Sequence, residues 1–64
     1  MNTNRTTAPR AIVIKLDRNG TRRAQYLSRM QFRMFPMPIA EADLMIATGA
    51  GVRCDRHPIT GEAL

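Results

Sequence analysis

The chain has one cysteine, one histidine, one lysine and no tryptophan among its 64 residues. A single cysteine excludes an internal disulfide framework. Cys54 and His57 have the spacing of two zinc ligands, but a closed structural site needs four, so no metal site is expected within one chain. Cys54 reads better as a core thiol, and a lone thiol without disulfides fits a reducing, intracellular setting. The expected location is the cytoplasm.

Long apolar runs are missing as well. The most apolar stretch, MFPMPIA, is far shorter than the roughly 20 residues that span a bilayer, and two prolines break it. No membrane partner is expected. Paired catalytic groups are also scarce, because Glu41 and Asp43 stand two apart and would not face each other on a helix. No orienting third group can be assigned to Cys54 and His57. The chain is therefore expected to be no enzyme and to need no cofactor.

What is abundant is arginine. Ten Lys and Arg against five Asp and Glu give a net charge of +5, and nine of the ten cations are arginine. Arginine's planar fork suits bidentate contact with phosphate or carboxylate, so an anionic partner is the natural expectation. Net charge also simply keeps a small protein soluble.

Residues 1–10, MNTNRTTAPR, are polar and read as a flexible tail, leaving residues 11–64 as a single domain. A chain of this size buries only about 60% of the surface that its unfolded form exposes. Within the domain, AIVIKL (11–16) and TRRAQYL (21–27) read as strands joined at DRNG. A two-residue loop at Asn19-Gly20 would mix core and surface on both faces. A three-residue loop, with Asp17 starting a type I turn and Gly20 left-handed in a bulge, sets Ile12 against Tyr26 and Ile14 against Ala24. That register makes one face apolar. It puts Val13 opposite Gln25, Lys15 opposite Arg23, and Arg22 beside Leu16.

Ser28 followed by Gln31 has the form of a capping box, with Leu27 and Phe32 at the positions of a hydrophobic staple. A short helix is expected from Ser28 to Phe35, where Pro36 would end it. Met30, Phe32, Met34 and Phe35 would pack against the hairpin. Pro36-Met37-Pro38 then reads as a stiff connector, with Pro38 in the first turn of a second helix that runs to about Thr48 and is capped by left-handed Gly49. Ile39, Ala42, Met45 and Ile46 share one side of it, and Leu44 is an apolar residue on the polar side. Val52 and Cys54 alternate with Arg53 and Asp55 as a third strand. The expected fold is α+β in two layers, ordered ββααβ.

Two surfaces are candidates for function. Lys15, Arg18, Arg22 and Arg23 converge on the hairpin turn as a cationic finger, and Arg29 and Arg33 add an i, i+4 basic stripe; nucleic acid, a nucleoprotein machine or an acidic protein surface would be the partner. The competing reading is a solvated strand edge that discourages aggregation. With Tyr26, Phe32 and Phe35 assigned to the core, base stacking and sequence-specific readout are not expected. A helix-turn-helix is disfavoured, because Glu41 and Asp43 would sit where phosphates are contacted and no Lys or Arg lies between Ile39 and Val52. The second surface is the helical side, where Met30, Met34 and Leu44 would dock a protein or a second copy of the chain as a homodimer.

The favoured function is a small non-enzymatic binding module that engages nucleic acid or a nucleoprotein complex through the arginine-rich hairpin. The alternative is a protein inhibitor, adaptor or virion component. In its general look the chain is similar to accessory proteins encoded by phages and plasmids, including inhibitors of bacterial defence systems, a likeness carried by no particular residues. Salt dependence separates the two functions, since phosphate contacts weaken steeply with salt and an apolar interface does not.

Overall fold

The structure, a computed structural model, describes residues 8–64. Residues 1–7, most of the expected tail, lie outside the described residues, and Ala8 and Pro9 are exposed ahead of the first strand.

The branched run at the start of the domain forms β1 (Arg10–Leu16), and β2 (Arg22–Ser28) folds back on it antiparallel. The pairs are Ile12 with Tyr26, Val13 with Gln25, Ile14 with Ala24, Lys15 with Arg23 and Leu16 with Arg22, as the alternation of apolar residues requires. The turn closes through the Gly20 N–H on the Asp17 carbonyl at 2.9 Å, and Gly20 stands at φ 80°. That left-handed backbone is the one glycine adopts without steric cost.

The expected first helix is not formed. One turn follows Ser28: the Gln31 N–H donates to Ser28 Oγ at 3.3 Å, and the Phe32 N–H donates to the Ser28 carbonyl at 2.6 Å. Phe32 then adopts φ 53° and the chain straightens into β3 (Arg33–Met37), antiparallel to β2. The capping signal is obeyed for a single turn, and burial decides the rest. As a strand, the segment lays Phe35 against Tyr26 and Met37 against Ala24. Two turns of isolated helix have too little stability of their own to compete with that pairing. Pro36, expected to begin a connector, sits inside β3. It is tolerated because β3 is an edge strand, where an absent N–H interrupts no further ladder.

The second expected helix is α1 (Ile39–Thr48), the one helix among the described residues. Extended Pro38 precedes it, Glu41 sits in its first turn, and Gly49 at φ 86° ends it. β4 (Gly51–Arg53) returns parallel to β1 at the far edge, giving a four-stranded mixed sheet in the order β3-β2-β1-β4 with α1 on one face. The order ββααβ is thus corrected to ββ, a third strand, one helix and a fourth strand, an α+β arrangement. Ile12, Ile14, Ala24 and Ala42 form the core under the helix, with Tyr26, Met37, Ile39, Met45 and Ile46 packed around them, and Val13, expected on the charged face opposite Gln25, is buried as well. Met30 and Phe32, expected in that core, are exposed at 97% and 62%. No helix among the described residues is long and apolar enough to cross a membrane.

Candidate nucleic-acid interface

The hairpin tip is organised by one carboxylate. Asp17 Oδ1 accepts from the N–H groups of Asn19 (2.8 Å) and Thr21 (3.0 Å), and Oδ2 accepts from Arg23 Nε at 3.0 Å. The Thr21 N–H first, and the Arg23 guanidinium next, hold the Asp17 carboxyl below its ordinary range.

The four expected finger cations do not converge. Side chains of neighbouring strand residues point to opposite faces, so Arg22 lies on the helix side and Lys15 and Arg23 lie on the side away from the helix. Arg22 makes a bidentate pair with Asp43 of α1, at 3.2 and 3.0 Å. Arg23 is held by Asp17. Lys15 and Arg18 are exposed and have no carboxylate partner among the described residues. Two of the four charges are thus already matched within the fold.

At the other end of β2, about 20 Å away for six strand steps, stand Arg29 and Arg33. Arg29 lies in the turn and donates to the Pro9 carbonyl at 2.8 Å. Arg33 opens β3 beside Ser28, with its guanidinium 4.9 Å from the centroid of the Phe35 ring. The helical i, i+4 stripe is therefore replaced by a turn and a strand end. A third arginine, missed in the sequence, completes this end: Arg10 begins β1, and its guanidinium sits 4.4 Å from the centroid of Tyr26. Tyr26 and Phe35 stack at 5.9 Å between centroids, so Arg10, Tyr26, Phe35 and Arg33 form a continuous row of cation, ring, ring and cation. The available signal was the register itself, because Ile12 opposite Tyr26 places Arg10 level with Ser28. Assigning Arg10 to the tail hid it.

Matched against known families, curated proteins and solved structures, the chain resembles none of them significantly. Its function rests on its own geometry.

The residues of the second candidate surface are not brought together. Met30 lies in the β2–β3 turn, and Met34 sits on β3 level with Leu27, one step from Phe35 and so on the face away from the helix. Leu44 is on the outer side of α1, 63% exposed. Cys54 is a half-buried free thiol, and His57 uses Nδ1 to accept from the N–H groups of Ile59 and Thr60 at 3.2 and 3.3 Å. Among the described residues, no group of three or more His, Cys, Asp or Glu is placed to hold a metal.

Proposed function

We propose that the protein is a non-enzymatic module that binds nucleic acid through arginine and lysine side chains at the two ends of its sheet. The observation that carries this reading is the pattern of ion pairing. Asp17 and Asp43 take up Arg23 and Arg22, while Lys15, Arg18, Arg10, Arg29 and Arg33 have no carboxylate partner among the described residues. Cations left without a carboxylate partner keep their charge available to phosphates. At the hairpin, Lys15 and Arg18 make the contacts, and Arg22 and Arg23 act mainly to fix the turn and the helix.

The test is a paired substitution, Lys15→Gln with Arg18→Gln, which removes two charges and breaks no ion pair. Fluorescence anisotropy with labelled DNA and RNA oligonucleotides at two salt concentrations should show about tenfold weaker binding, on the order of 1.4 kcal/mol, with thermal stability unchanged. Affinity equal to wild type at both salts would remove the hairpin from the binding surface.

A further inference from the structure

The turn between β2 and β3 exposes more apolar surface than its length requires. Met30 is almost wholly exposed, and Phe32 presents most of its ring to solvent while held at φ 53°. Glycine or asparagine would adopt that backbone at lower cost. An exposed ring gains little packing in return, so the fold alone gives no reason for phenylalanine here, and a backbone outlier of this kind argues for a use outside the fold.

The surroundings are cationic and aromatic. Arg29 is in the turn, Arg33 follows it, and Arg10 lies on the neighbouring strand. Arg10, Tyr26, Ser28, Arg29 and Met30 line one recess beside the turn. The row from Arg10 through Tyr26 and Phe35 to Arg33 fixes two of these guanidinium groups on ring faces.

Resting on the nucleic-acid reading above, we propose that this end of the sheet takes single-stranded nucleic acid. An unpaired base stacks on Phe32 beside Met30, and Arg10, Arg29 and Arg33 hold the flanking phosphates. The single strand follows from the ring, because a base inside a duplex has both faces already stacked and offers none to Phe32. The phosphates follow from three arginines with no carboxylate partner among the described residues.

The experiment uses fluorescein-labelled oligothymidylate and oligouridylate, with a DNA duplex of the same length as competitor. It compares wild type with Phe32→Asn, which keeps the left-handed backbone and removes the ring, and with Phe32→Tyr, which restores a ring. Wild type should bind the single strands about tenfold more tightly than the duplex. Phe32→Asn should weaken binding about fivefold or more, the effect of removing one stack, with its salt slope unchanged, and Phe32→Tyr should bind as wild type. Arg10→Gln combined with Arg33→Gln should lower the slope by about 0.7 for each phosphate no longer neutralised. Phe32→Asn binding as wild type, or a duplex bound as tightly as the single strands, would overturn this proposal; if the Lys15 and Arg18 variant still weakens binding, the nucleic-acid reading stands. Failure of every oligonucleotide to bind, or displacement by polyglutamate as effective as by oligothymidylate, would overturn both.

Discussion

Asp17 holds the hairpin turn through three donors at once, two backbone N–H groups and the Arg23 guanidinium. These donors favour the charged carboxylate, so its titration lies below the ordinary aspartate value of 3.8. The sign of the linkage follows. The unfolded chain takes up the proton at higher pH than the folded one, so the contribution of Asp17 is fully present above the ordinary value and is lost as pH falls through the lower folded value. Acid titration of stability should therefore show a loss in that window which is smaller in Asp17→Asn; identical acid profiles would place the control of the turn elsewhere. The place of Asp17 at the first turn position and the left-handed Gly20 were legible in the sequence, because a turn's chemistry is local; the pairing of its carboxylate with Arg23 was not. Phe32 was not, since a bulky residue at positive φ runs against its own preference by roughly 1–2 kcal/mol.

Between elements, the hairpin register could be read from side-chain alternation alone, because a slip by one residue would turn Ile12 and Ile14 out to solvent. The second helix was equally legible from its apolar spacing, from Pro38 near its start and from Gly49 at its end, although Pro38 is extended and lies just ahead of the helix rather than in its first turn. The segment after Ser28 was not. Its capping box is a true local signal, visible in the Gln31 and Phe32 hydrogen bonds, and it loses beyond one turn to the burial that Phe35 and Met37 gain beside β2. Gly51 lies where β1, β4 and α1 meet: a Cβ there would lie 2.5 Å from Ile12 Cδ1 and 3.3 Å from Met45 Cβ. Gly51→Ala should cost about 1–3 kcal/mol through overpacking, measured by urea unfolding. Unchanged stability would mean that Ile12 swings aside freely and that α1 sits less tightly on β1 and β4 than the packing implies.

Across the whole molecule, the excess of arginine was plain from composition, while its distribution was not. Sequence order grouped Lys15, Arg18, Arg22 and Arg23; the sheet separates them by face and gives two of them to Asp43 and Asp17. The same topology carries Arg10, from the start of the domain, to the turn that holds Arg29. No local pattern links those residues, since they meet only when β1 and β2 pair. The candidate protein-docking residues Met30, Met34 and Leu44 are dispersed by the same folding over a turn, the sheet face away from the helix and the outer side of the helix. What remains is a small domain with cations at both ends of its sheet that have no carboxylate partner among the described residues, Lys15 and Arg18 at one end and Arg10, Arg29 and Arg33 at the other. The most direct measurement is the salt dependence of binding by wild-type protein to a labelled single-stranded oligonucleotide. Three or more neutralised phosphates at about 0.7 each predict that log affinity falls linearly with log salt at a slope of about −2 or steeper. Binding that is absent at low salt, or that persists unchanged as salt rises, would contradict the account.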